Sequence, residues 1–221
     1  MRSAFLASVL GLGLTTAATA CDVALLLAVD VSGSVDPGEY RIQMDGLAAA
    51  LQDGVVSDAL VRARAQVALV QWTGSDRQDT SIPWQQIKTP EDVVALAAQI
   101  ETAPRAWRSF STAIGEALDY GLVTLLQVPE CKRKVIDVSG DGASNEGIAP
   151  GAMRSDLLRA GITVNALVIE TDEEDLTGYF RDNVIVGPDA FVVTANGFAD
   201  YPSKIRRKLL REVSQKVAAA N

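Results

Sequence analysis

The sequence predicts a single α/β domain: a doubly wound, mainly parallel sheet flanked by helices on both faces. Three observations carry this. Short apolar runs without polar alternation recur along the chain, as strands covered on both faces require. Segments with apolar residues at helical spacing lie between them. No long Pro/Gly/Ser linker, repeat or low-complexity tract interrupts the alternation, which favours parallel pairing through crossover helices.

The first run is Val23 to Val29, followed by helical spacing at Met44, Leu47 and Leu51. A second strand is expected over Ala65 to Trp72, then a helix carrying Val93, Ala97 and Ile100. Ile114, Leu118, Leu122 and Leu125 mark a third helix ahead of a strand over Lys134 to Val138. Met153 and Leu157 mark a fourth, ended by Gly161, which suits a left-handed cap. Strands over Ile162 to Ile169 and Ala190 to Thr194 follow. Ile205, Leu209, Val213 and Val217 then repeat every four residues, as in a terminal helix. With 221 residues, 48% of them hydrophobic, the chain can bury one substantial core.

Residues 1–20 read as a secretory signal peptide, leaving 21–221 as the domain. Arg2 precedes the apolar stretch Ala4 to Leu14, and Ala18-Thr19-Ala20 forms a small-residue cleavage site before Cys21. The apolar stretch is too short for a spanning helix, which needs about 20 residues, so no transmembrane segment is expected in the mature chain. Two readings of Cys21 stay open, a thiol of an exported protein or a lipidated N-terminus. The expected location is periplasmic or secreted, or lipid-anchored through Cys21.

Composition excludes several functions. The chain has no His, so Ser-His-Asp and Cys-His nucleophilic sites and His-ligated zinc are impossible within it. Its net charge of −8 argues against nucleic-acid binding, which needs a cationic surface.

Hard oxygen donors gather in three loops that follow strands or open helices. The first strand ends in Asp30-Val31-Ser32-Gly33-Ser34, placing a carboxylate and two hydroxyls on alternate residues. Such donors suit a small hard cation, although Ser34 or Asp36 could simply cap the next helix. Ser111 and Thr112 precede the third helix and could cap it. Asp141-Gly142 follows the Lys134 strand and in isolation is an ordinary turn.

Together the three loops resemble the metal-ion-dependent adhesion site of the von Willebrand factor A domain. That motif is an Asp-x-Ser-x-Ser loop, a later Thr before a Gly-x-Ala-Leu helix, and a strand ending in Asp-Gly. The matches are Asp30, Ser32 and Ser34, then Thr112 with Gly115-Glu116-Ala117-Leu118, then Asp141-Gly142. Ser139-Gly140 stands where the family more often has an apolar residue and Thr, and Phe110-Ser111 replaces a common Gly-Gly. The start, the Ser-Gly-Asp-Gly loop and the segment Gly187 to Val192 are similar to a secreted bacterial branch of uncharacterised function.

The resemblance implies that Ser32, Ser34 and Thr112 bind Mg²⁺ (or Mn²⁺) directly, with Asp30 and Asp141 binding directly or through water. Two carboxylates just neutralise the ion, so a protein or peptide partner could offer a carboxylate to an open position. The implied function is a metal-dependent binding module of the cell envelope, expected to be a monomer and not an enzyme. The competing readings are a metal-independent structural component of an envelope assembly, or a Mg²⁺-dependent phosphohydrolase. Against the latter, Ser32 occupies the position where an acid–base carboxylate would be needed. The resemblance also sets the strands before Asp30 and Asp141 side by side. Cys21 and Cys131 then fall near their opposite ends, which implies a Cys21–Cys131 disulfide unless Cys21 is lipidated.

Weaker features have plainer explanations. Asp172 to Asp175 reads as a solvated helix start, and Trp72, Trp84 and Trp107 as packing residues. Lys204, Arg206, Arg207, Lys208 and Arg211 read as the wet face of the last helix. Asp137 lies within a buried strand, so it needs a partner or must be neutral.

Overall fold

The first apolar run becomes β1 (Cys21–Asp30), buried along nearly its whole length in the computed structural model, which describes residues 21–171 and 175–214. There follow α1 (Pro37–Leu51), α2 (Gly54–Ala63), β2 (Gln66–Trp72), β3 (Gln78–Gln86) and α3 (Pro90–Thr102). The second half is α4 (Ile114–Leu125), β4 (Cys131–Gly140), α5 (Arg154–Arg159), β5 (Ile162–Ile169), α6 (Leu176–Asn183), β6 (Val192–Ala195) and α7 (Tyr201–Ser214). Single 3₁₀ turns at Pro150–Met153 and Phe198–Asp200 lead into α5 and α7. The six strands lie in the order β3-β2-β1-β4-β5-β6, all parallel except β3, which runs antiparallel to β2.

β1 and β4 are central, so their side chains alternate between two apolar layers. Leu25, Leu27 and Val135 face α1, α2, α3 and α7; Leu26, Ala28, Ile136 and Val138 face α4, α5 and α6. The doubly wound architecture agrees with the sequence expectation. β3 and α2 were not expected, whereas α6 begins just after the acidic helix start read from the sequence. β3 reads poorly because it is an edge strand with Pro83 and few apolar residues, tolerable only where one side needs no ladder partner. The short α2 and α6 bury few residues, Val56 and Leu60 in one and Leu176, Gly178 and Phe180 in the other. Val217 and the acidic residues 172–174 lie outside the described residues, while Asp175 caps α6 by accepting from Gly178 N at 3.0 Å. Trp72 is buried, and Trp84 and Trp107 pack against opposite layers, so the three indoles share no surface.

Helix starts release the hydroxyls that the site needs. Asp36 accepts from Glu39 N at 2.8 Å and Glu39 accepts from Asp36 N at 2.7 Å, a reciprocal box that leaves Ser34 out of helix capping. α4 begins at Ala113 without any side-chain cap, so neither Ser111 nor Thr112 fills that role. Ser144 Oγ, from a distant loop, accepts from Ile114 N instead.

Cys21 and Cys131 are register partners of β1 and β4 and form a disulfide, with Cα atoms 4.5 Å apart. A bridged Sγ has no valence left for a lipid thioether. The bridge ties the two central strands at the end opposite Asp30 and Asp141.

The wet-face reading of the last helix fails at Lys208. This residue has no solvent exposure; its Nζ pairs with Asp137 of β4 and lies 2.7 Å from Glu212 Oε1. The reason is register: position 208 falls on the same helical face as Ile205, Glu212 and Leu209, over the sheet. Asp137 thus gains its partner. Asn165 Nδ2 donates to Glu212 Oε1 at 3.1 Å, and Arg133 donates to the Glu212 carbonyl at 3.1 Å.

Two predictions follow from this framework. Replacing both cysteines by Ser opens a connection spanning 110 residues and lowers stability by about 4–5 kcal/mol, read from urea denaturation with and without reductant. The second concerns Glu212, which burial and the charge of Asp137 push up to about 8 against the opposing pull of Lys208. Between its ordinary value of 4.5 and about 8, the folded protein holds a proton that the unfolded chain has released. Stability therefore falls as pH rises through that window, by up to about 1.4 kcal/mol per pH unit, and levels off above it. Glu212→Gln keeps an acceptor for Lys208 without the charge and should remove the slope in denaturation measured across the same range.

Candidate metal centre

The carboxyl ends of β1 and β4 bring Asp30 and Asp141 together, where open α/β sheets place their ligands. Asp30 is the last residue of β1 and points to the same layer as Trp72 and Gly140; it is fully buried. Its Oδ1 accepts from Ser32 N at 2.7 Å, while its Oδ2 has no hydrogen-bond partner. Ser32 Oγ lies 3.2 Å from Ser34 Oγ, and Ser34 Oγ donates to Asp141 Oδ1 at 2.6 Å. Four of the five residues singled out from the sequence thus form one hydrogen-bonded chain from Asp30 through Ser32 and Ser34 to Asp141. Thr112 stands beside it: Ser34, Thr112 and Asp141 line a cavity of about 260 Å³ together with Phe110, Asn145 and Thr171. Asp30 and Ser32 lie beneath, out of contact with solvent.

The departures at 139 and 140 have a local reason. A Cβ at Gly140 would stand 3.1 Å from Asp30 Oδ2, so the missing side chain leaves room for that carboxyl. Ser139 points to the other layer, where its Oγ donates to Gln43 Oε1 at 3.4 Å.

Other residues hold the three loops, and of these Arg105 and Asn145 carried no pattern that would have marked them in the sequence. Arg105 donates to the carbonyls of Val31 and Ser32, both at 2.9 Å, which fixes the backbone between Asp30 and Ser34. Gly33 N donates to Phe110 O at 2.8 Å, joining the first loop to the second. Asn145 N donates to Thr112 O at 2.9 Å and Asn145 Oδ1 accepts from Thr112 N at 3.0 Å, a reciprocal clamp on Thr112. Gly115 explains the Gly-x-Ala-Leu pattern: a Cβ there would lie 2.0 Å from Ile148 O, so the 144–149 loop packs directly on α4. Glu116 Oε1 accepts from Ile148 N at 2.7 Å and holds the loop in place.

Burial, then the charge of Asp141, pushes the Asp30 carboxyl up to about 7, although hydrogen bonds from Ser32 and from the Asp141 backbone oppose the shift. Two carboxylates and three hydroxyls, all oxygen, with one buried oxygen unpartnered, fit a hard divalent cation. Among the described residues no group of three or more His, Cys, Asp or Glu could hold a metal, so an ion here would draw on the hydroxyls as well as on the two carboxylates.

The chain belongs to the family described as Protein of unknown function (DUF1194), whose profile matches residues 20–217. A search of curated protein sequences found no match. Among solved structures, proximal thread matrix protein 1 from the mussel byssus aligns at a TM-score of 0.67 and 20% identity, covering 88% of this chain and 48% of that one. Another structure of that protein has a zinc occupied MIDAS motif and aligns at 0.62 and 18%, covering 87% and 46%. A von Willebrand factor type A protein from Catenulispora acidiphila gives 0.61 and 17%, covering 90% and 44%. BatB from Bacteroides thetaiotaomicron gives 0.55 and 18%, covering 88% and 100%. The fold is that of the von Willebrand factor A domain, and the chain spans about half the length of the first solved proteins it matches.

The packing at Gly115 sets a prediction. Gly115→Ala forces a methyl into the Ile148 carbonyl, so the 144–149 loop must leave α4 and release Thr112. A loss of about 1–3 kcal/mol in urea denaturation is expected, with faster amide exchange at Asn145 than in the wild type.

Proposed function

From that family and fold, we propose that this protein is a divalent-metal-dependent binding module of the cell envelope. In this reading Ser32, Ser34 and Thr112 hold Mg²⁺ or Mn²⁺ with their hydroxyls, and Asp30 and Asp141 hold it directly or through water. The observation that carries the reading is Asp30 Oδ2, a buried carboxyl oxygen without a donor, joined through Ser32 and Ser34 to Asp141 and the hydroxyl-lined cavity. A bound ion would supply a Lewis-acidic position for a carboxylate of a protein or peptide partner. The protein's own part is to hold its donors in place, through Arg105 on the first loop and Asn145 on Thr112, and to leave one side of the cavity open. The zinc occupied MIDAS motif of the mussel protein supports the metal assignment by analogy of fold.

The module is read as non-catalytic. Asp30 is fully buried, which does not suit a nucleophile, and Ser32 is no acid–base group. No helix among the described residues is long and apolar enough to cross a membrane. A periplasmic or secreted placement, after removal of 1–20, is supported by the disulfide, since such bonds persist in oxidising compartments. The mature chain is read as one domain and a monomer.

Melting with and without metal tests the assignment. Mg²⁺ or Mn²⁺ at about 100-fold excess over Kd should stabilise the wild type by about 2.7 kcal/mol. Asp30→Ala should abolish the shift without unfolding the domain, because it removes a buried, poorly paired carboxyl together with a ligand. Ser34→Ala should reduce the shift, and capture of a partner from envelope extract should fail with chelator and return with Mg²⁺. Identical responses of wild type and Asp30→Ala would refute the metal site and leave the scaffold reading.

A further inference from the structure

β6 ends the sheet, and its outer edge has no ladder partner among the described residues. Phe191 O and Ala195 O accept from Ala166 N and Glu170 N of the β5 side, at 3.0 and 2.9 Å. By the alternation of a parallel ladder, Val192 and Thr194 therefore turn their amides and carbonyls outward. Beside this edge lies a groove of about 250 Å³ lined by Val192, Val193, Thr194, Lys204, Arg207 and Arg211. Three cations on one helix face, at spacings of three and four residues, thus border an open strand of a protein whose net charge is −8. Their settings differ. Lys204 is shared with Asp200 at 3.2 Å, and Arg211 lies over the Phe191 ring at 3.8 Å, which fixes its guanidinium. Arg207 is exposed and has no ion pair among the described residues.

We propose that this edge is a docking site for an extended acidic peptide segment, which adds to β6 as a further strand. Side chains on one face of a strand recur about every 6.7 Å, and residues 207 and 211 are about 6 Å apart along the helix axis. A segment with carboxylates at alternate positions therefore meets both guanidiniums while its backbone pairs with Val192 and Thr194. Main-chain bonding supplies the alignment, and the cations select the sign of the partner. A free anion would use the cations but leave the strand edge unpaired. This site lies on β6 and α7 and does not involve the loops of the candidate metal centre.

The test is a fluorescein-labelled peptide of alternating Glu and Val, titrated into the disulfide-bonded protein at low salt. Binding is expected to slow amide exchange at Val192 and Thr194, to weaken as salt rises and to be indifferent to chelator. A peptide of alternating Lys and Val should not bind. Arg207→Glu with Arg211→Glu should weaken the acidic peptide at least tenfold. Arg207→Glu alone, at an exposed position, should weaken it measurably with unchanged melting. Binding without amide protection, or competed away by millimolar inorganic phosphate, would reduce the groove to a simple anion site and overturn strand addition. No binding, or affinity unchanged in the Arg variants, overturns it too. So does salt-sensitive dimerisation that the same substitutions abolish, since the occupant is then a second copy.

Discussion

Asp30 Oδ2 is a carboxyl oxygen with no donor, sealed below the cavity at the carboxyl end of β1 and under the influence of a second acid, Asp141. Burying such a group unpaired costs several kcal/mol unless it is protonated or meets a cation. The neighbouring chain accommodates this carboxyl without neutralising it. Gly140 withdraws its side chain, Ser32 N supports only the other oxygen, and Arg105 grips the loop's carbonyls without bonding the carboxyl. Donors that could have capped helices remain in the site, because Asp36 caps α1 and Ser144 serves the start of α4. The geometry makes sense as a set of oxygens held ready for positive charge.

The opposite layer buries charges of its own, set side by side between β4 and α7. Asp137, Lys208 and Glu212 join β4 to α7 inside the apolar layer, with Asn165 beside them. A buried ion pair such as Asp137–Lys208 adds little net stability, yet removing one partner from the other is expensive. A turn of slippage in α7 would strand Lys208 against apolar side chains. Ser139 and Gln43 extend the polar path, and Gln43 Nε2 donates to the Asp30 carbonyl at 3.4 Å. The same strand ends therefore serve the candidate centre on one face and the seating of α7 on the other.

The parallel sheet was legible because β1, β2, β4 and β5 are covered on both sides, which makes β1 an almost unbroken apolar run and keeps the other three mostly apolar at their centres. The three oxygen-rich loops were legible because Asp30, Ser32, Ser34, Thr112 and Asp141 match the resembled motif in both residue type and spacing. β3 was not, since an edge strand with Pro83 has no pattern to show. Lys208 was misread for a related reason: it sits in a basic run, and its burial depends on a carboxylate 71 positions earlier in the chain, at Asp137.

By itself, then, the sequence determined the order of elements, the oxygen chemistry of the three loops and the two cysteines available for a bridge. These are local properties, carried by periodicity and residue type. The tertiary structure decided which carboxyl is left without a donor, which hydroxyls escape helix capping, and which cation is buried. It also decided that Arg105 and Asn145 hold the loops. Each of these depends on groups brought together from distant segments, and the energy of a buried polar atom is set by what faces it in space.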